Sequence, residues 1–404
     1  MGGAGTATFA PHSPGEDDIA DLAYGAAVRD EWLLDPDWVT VNHGSFGATP
    51  IAVLDAQERW RREMERQPSY FMRRVLPDAL RGAADALAGF IGAEGKDIAF
   101  LENATVGCNA VLRSLRLGRG DEVVVLSHVY GAVRNTVRYV TELAGAVMVE
   151  AVVPFPGTTE AGVVEAVRRA LSDRTVIAVL DHITSASALV LPLQAMVAAC
   201  HERGVPVLVD GAHGPGQVPL DMRVIQADWY VGNCHKWLMS PKGAAFIWAD
   251  PARQAALHPV TISHGYGQGF LAEFDWTGTR DPSAFLAVPD AIAFHARLGG
   301  EGLMARNKAV AAEATALVAR RLNTEPGATG ALAGSMGLVR LPLAGEAGAE
   351  RALALRGRML DRKCDVPLHA QAGSIWLRLS AQAYNEMADY ERLAEIAAEV
   401  VREE

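Results

Sequence analysis

Nowhere does this chain stay apolar for the ~20 residues a helix needs to cross a bilayer, so no membrane span is expected. Its opening residues, MGGAGTATFAPHSPGEDD, lack the basic stretch and apolar core of a secretory signal and read as a floppy leader. Cysteine is scarce. Cys108, Cys200, Cys234 and Cys364 stand far apart without a CxxC pair, which argues for reduced thiols in the cytoplasm rather than a disulfide framework. Positive charge is short too: 37 Lys and Arg against 48 Asp and Glu leave a net charge of −11, the wrong sign for nucleic acid or an anionic membrane. The 11 histidines make no HExxH, so no metal is expected, and the G-x-x-x-x-G-K-[ST] phosphate loop of nucleotide enzymes is missing. What remains is 404 residues, half of them hydrophobic, with the composition of a globular enzyme and enough chain for a large core.

Residues 206–249, PVLVDGAHGPGQVPLDMRVIQADWYVGNCHKWLMSPKGAAFIWA, are the most informative stretch. The apolar run 207–209 reads as a buried strand of a parallel sheet and ends on Asp210. A second run, 229–231, leads into Gly-Asn-Cys-His and then Lys236. Strand ends of an open α/β sheet point at the crevice where such folds bind ligands. Alone, each residue has a plainer reading: a lysine after a strand is usually solvated, and an aspartate there usually caps a helix. Together, 26 residues apart with a strand before each, they suit pyridoxal phosphate. The lysine amine can form a Schiff base with its aldehyde, and the carboxylate can keep its ring nitrogen protonated.

VDGAHGPGQVPLD with GNCHKWL resembles the class V aminotransferases of fold type I, and within them the isopenicillin N epimerase-like subgroup. The likeness runs from about residue 33 to the C-terminus. It implies an aspartate-aminotransferase-like α/β fold, with a mostly parallel sheet in a large domain and a smaller α+β C-terminal domain. The chain's own rhythm agrees. Strands are expected at 98–101, 122–127, 147–152, 176–181 and 205–210, with helices near 131–143, 159–171 and 192–203 between them, the alternation of a parallel sheet covered on both faces. A long helical stretch is expected over 283–322, then a Gly- and Ala-rich linker, strands at 337–341, 365–370 and 374–380, and helices at 349–361 and 387–402. The expected divisions are an N-terminal leader and arm over 1–40, a cofactor-binding domain over 41–322 and a small domain over 323–404.

The resemblance also distributes roles. Asn103-Ala104-Thr105 follows a strand into a helix, a natural phosphate cradle that an ordinary cap would equally explain; the family places the cofactor phosphate there, on Ala104 and Thr105. Tyr130, by strand position a packing residue, matches the aromatic stacked on the ring. Thr184 and Ser185 are expected to face the cofactor, although caps for the following turn would explain them equally; His213 is expected at the ring oxygen, and Asn233 and His235 at the phosphate or the Lys236 linkage. Gly278 and Thr279 match a segment that reaches the cofactor phosphate of a second subunit, implying a homodimer. In NHGSFG, Asn42 and His43 are candidates for substrate contact. Arg378, the one cation in the apolar run IWLRLS, needs an anionic partner if buried, and the family gives it the substrate carboxylate.

The implied chemistry joins an amino acid to the cofactor and moves its Cα proton to Lys236. That intermediate serves several reactions. A short loop between Gly265 and Gly278 departs from the isopenicillin epimerases and favours C–S cleavage or deamination of a cysteine-derived or other natural-product amino acid. Epimerisation, transamination and cysteine desulfuration stay open, as does a non-catalytic α/β binding protein. Against desulfuration, Cys364 matches the start of a strand, where it reads as structural rather than as a mobile nucleophile.

Overall fold

A computed structural model describes residues 23–404. The start of the expected leader and arm lies outside them; within its remainder, Gly25–Glu31 form a 3-10 turn. Seven strands make the main sheet: β1 (Ile98–Leu101), β2 (Glu122–Leu126), β3 (Val147–Ala151), β4 (Thr175–Asp181), β5 (Val207–Asp210), β6 (Trp229–Asn233) and β7 (Ala245–Ala249), in the order β1-β7-β6-β5-β4-β2-β3. All neighbours are parallel except β7, which runs antiparallel to β1 and β6. β1, β2, β5, β6 and β7 are buried throughout, as runs such as VLV and AFIWA demand of strands covered on both faces.

Side chains alternate across a strand, and the cores divide accordingly. Leu126, Leu180, Val207, Val209 and Phe246 belong to one core, and Val125, Val179, Leu208, Val231 and Ile247 to the other, with Ala104 and Cys108 of the helix Ala104–Ser114. Carrying the alternation forward puts Asp181, Asp210 and Asn233, the last residues of β4, β5 and β6, on the second face. That is the face covered by the helix Ala104–Ser114.

A second core gathers around an antiparallel sheet of Met336–Arg340, Ser374–Ser380 and Leu368–Gln371, packed under Ala349–Asp361 and Met387–Arg402. Val41 also belongs to it, and Val39–Thr40 pairs with Cys364–Asp365. The continuous helix expected over 283–322 is in fact three, Ser283–Leu286, Val288–Arg297 and Glu301–Arg321. Pro289 opens the second, and Gly299 and Gly300, both at positive φ, separate it from the third. From Ala311 onward the third helix contributes to the second core, so it ties that core to the first.

One glycine locks the N-terminal segment onto the main sheet. Gly47 has φ 70° and ψ 155°, a conformation essentially closed to other residues, and an added Cβ would run into the His235 carbonyl oxygen. Gly47→Ala is therefore expected to destabilise the protein by about 2–4 kcal/mol. Thermal unfolding of the variant measures this; an unchanged midpoint would show that the contact is not tight.

Candidate active site

The strand ends converge on a cavity of about 670 Å³. Asp181, Asp210, Asn233 and Lys236 line it from the sheet, Asn103, Ala104 and Thr105 from the opposing helix, and Tyr130, His213, His235 and Ser185 from connecting loops. Lys236 Nζ sits 3.1 Å from His213 Nε2. The other ring nitrogen of His213 accepts the Trp237 indole N–H at 3.2 Å. Since that indole can only donate, His213 carries its proton on Nε2, facing Lys236. When Lys236 is neutral, its amine can offer a lone pair to that N–H. The electrostatics agree: burial first, and then the Arg378 charge, push Lys236 down to about 8, against the pull of Asp210. Burial also holds His213 well below the usual imidazole range, with Lys236 and Arg378 adding to it, so its ring stays neutral.

Asp210 is 4% exposed and accepts the Ala212 N–H at 3.0 Å. Burial raises its carboxyl, while that amide and the Lys236 charge oppose the rise. Asn103 caps its helix by accepting the Val106 N–H at 3.0 Å, and the Ala104 N–H donates to Asn233 Oδ1 at 2.9 Å. The amide expected to serve a phosphate at Ala104 therefore already has a partner. Thr105, between the two, lines the open cavity. His235 donates from Nδ1 to the Ala244 carbonyl at 2.9 Å, and burial lowers it to about 4.

These residues fit pyridoxal phosphate on the structure's own terms: a desolvated amine, a buried carboxylate on the same side of the sheet, and a helix start at the far wall. The class V aminotransferase model matches residues 49–332. The chain belongs to that family. Over 396 residues it is 33% identical to isopenicillin N epimerase of Amycolatopsis lactamdurans, covering 93% of this chain and 98% of that one. It is 31% identical to an L-cysteine desulfhydrase of Arabidopsis thaliana, over 90% of this chain and 88% of the relative. The fold resembles that of the cystine C–S lyase C-DES in complex with its product cysteine persulfide, with a TM-score of 0.78 at 19% identity over 90% of this chain and 98% of the other. The family's cofactor is pyridoxal 5'-phosphate, which supplies an aldehyde for the Lys236 amine and a ring that accepts electrons from Cα.

Other expected residues sit elsewhere. Thr184 is fully buried; its hydroxyl accepts the Leu189 N–H at 2.8 Å and the Ser187 hydroxyl at 2.7 Å, so it shapes the turn, while its neighbour Ser185 lines the cavity. His43 is buried between the Lys236 carbonyl, 2.9 Å from Nε2, and the Tyr384 hydroxyl, 3.0 Å from Nδ1. It anchors the lysine's backbone and leaves neither ring nitrogen free. Asn42 reaches the site indirectly, accepting from Arg378 at 3.2 Å and donating to Asp365 at 3.1 Å. Gly278 lines a small crevice beside Asp275, and Thr279 an outer groove with Met64 and Trp276. Neither lines the Lys236 cavity, although the next residue, Arg280, reaches its rim through an ion pair to Glu102 at 2.8 Å.

Arg378 is 3% exposed and stands behind the cavity wall, bonded to Ser45 and Ser185 of its lining. Its guanidinium donates to the Ser185 carbonyl at 2.7 Å and to Ser45 Oγ at 2.9 Å, and Nε has no partner. Every acceptor is neutral. Ser45, Ser185 and Trp237 were not singled out for these roles by sequence reasoning, because nothing in a single serine or tryptophan marks its partner. Asp181 was legible: VIAVLD ends a strand as VLVD does.

The Lys236 titration has a direct consequence. Below pH 8 the amine is mostly protonated and cannot attack an aldehyde, so capture of pyridoxal phosphate by the apoprotein should accelerate about tenfold per pH unit up to about 8 and level off above. Stopped-flow absorbance follows it, and a flat profile from pH 6 to 10 would contradict the lowered value.

Proposed function

We propose that this enzyme cleaves the C–S bond of a cysteine-derived amino acid. Arg378 binds the substrate carboxylate, Lys236 carries the Cα proton, and Asp210 keeps the cofactor's ring nitrogen protonated. The observation that carries the reading is the buried Arg378 guanidinium hydrogen-bonded only to neutral oxygens, because a desolvated cation with no carboxylate in direct contact is a site for an anion. Burial lowers Arg378 to about 10, so it remains charged at neutral pH. An α-carboxylate seated there puts Cα toward Lys236, whose neutral amine takes the proton. The electron pair left on Cα expels the β-sulfur as a thiolate. Water then releases the carbon skeleton as a keto acid and its nitrogen as ammonia.

Cleavage without transfer of sulfur to the enzyme is supported by the thiols. All four cysteines are buried and unpaired, and none lines the cavity. Cys364, 0% exposed and paired with Val39, is pushed up to about 12 by burial and by Asp365, the opposite of an attacking thiolate. Free thiols also support a reducing compartment such as the cytoplasm; among the described residues no helix is long and apolar enough to cross a membrane. A homodimer accounts for Gly278 and Thr279, whose loop lies at the cavity rim without entering it. Epimerisation is the second reading, favoured by the 33% identity to an isopenicillin N epimerase.

Purified protein given cysteine conjugates in deuterated water tests both readings. Keto acid and free thiol in equal amounts are expected by mass spectrometry, and recovered substrate of inverted configuration with solvent deuterium at Cα would favour epimerisation instead. Lys236→Ala should abolish both activities and the borohydride-fixed cofactor. Arg378→Met should raise KM for a carboxylate substrate by roughly 100-fold or more; a KM within about threefold of wild type would remove Arg378 from this role.

A further inference from the structure

We propose that Asp181 is a second carboxyl beneath the cofactor site, one that stays protonated at neutral pH and holds the Asp181–Asp210 pair at a single negative charge. The two residues are register partners on the adjacent parallel strands β4 and β5, whose backbones lie about 4.8 Å apart. Both belong to the face covered by the helix Ala104–Ser114, both line the cavity, and they are 2% and 4% exposed. Two carboxylates so close and so dry cannot both ionise. Asp181 Oδ2 is buried without a hydrogen-bond partner, a costly state for a bare carboxylate oxygen and a cheaper one for a carboxylic acid.

The surrounding groups assign the proton. Asp210 has the Ala212 amide and the Lys236 charge on its side, and both favour its ionised form. Asp181 faces the Asp210 charge and the buried Cys108 thiol of the covering helix. The nearest cation on the following helix, Arg134, is already paired with Glu150 at 2.6 Å. The Tyr130 amide gives Asp181 some help, and His213 across the cavity is neutral. Burial and the neighbouring carboxylate dominate, raising Asp181 well above the usual carboxylate range.

The consequence rests on the reading of this cavity as the cofactor site. One negative charge faces one ring-nitrogen proton, and Asp181 acts through Asp210 as a positioning residue. Were Asp181 ionised, a second charge would sit beneath the ring.

Infrared spectra of the apoprotein, unlabelled and with 13C-aspartate, test the proton directly. At neutral pH Asp275, raised only to about 6, is mostly ionised and contributes little. A carbonyl band of a protonated aspartic acid is expected in wild type, and its loss in Asp181→Asn. Absence of the band in wild type, or its survival in Asp181→Asn, would overturn the proposal. Should Asp181→Asn not fold, a carboxyl-carbon NMR titration of 13C-aspartate wild type decides, since one aspartate must still carry its proton at neutral pH. Adding pyridoxal phosphate separates the two readings: a band without any cofactor absorbance leaves the protonation standing and removes the cofactor site.

Discussion

Removal of water from one lysine amine governs the chemistry of this molecule. Lys236 is buried beside a histidine that presents an N–H and near an arginine that adds positive charge, and each disfavours its ammonium form. The histidine is held in that state by a tryptophan that can only donate. Asp210 is the counterweight, near enough to limit the shift. A neutral amine is what both cofactor capture and proton transfer at Cα require, and a value of about 8 brings that form within reach of physiological pH.

The rest of the architecture supplies positions. Parallel strands deliver Asp181, Asp210 and Asn233 to one edge and, by the twofold alternation of a strand, to one face. The C-terminal sheet brings Arg378, from a separate core, against Ser45 and Ser185 of the cavity wall. The N-terminal turn fastens the arrangement, with Gly47 packed against the His235 carbonyl and His43 holding that of Lys236. Residues expected to touch substrate thus serve the lysine and the arginine from behind.

Composition and patterning made the α/β class legible, because buried parallel strands must be apolar along their whole length and turns between them must carry Gly, Pro and Asp. They also exposed Lys236, Asp210 and Arg378, each a charge at the end of, or inside, an apolar run where charge is expensive. The break at Gly299 and Gly300 was less visible, since helical periodicity resumes on both sides of it. Thr184 and Ser185 could not be told apart, because which of two neighbours faces a cavity depends on how the turn closes, here through the Leu189 and Ser187 bonds.

By itself, then, the order of residues determined the sheet, the pairing of an acid with a lysine, and the lone buried arginine, since these follow from local hydrophobicity and the cost of burying charge. Only the tertiary structure decided which nitrogen of His213 holds the proton, that the Ala104 amide is already taken by Asn233, and that Asp181 stands beside Asp210. Those outcomes depend on strand register and on partners distant in the chain. No local pattern carries them, because a hydrogen bond is settled by where both of its ends arrive.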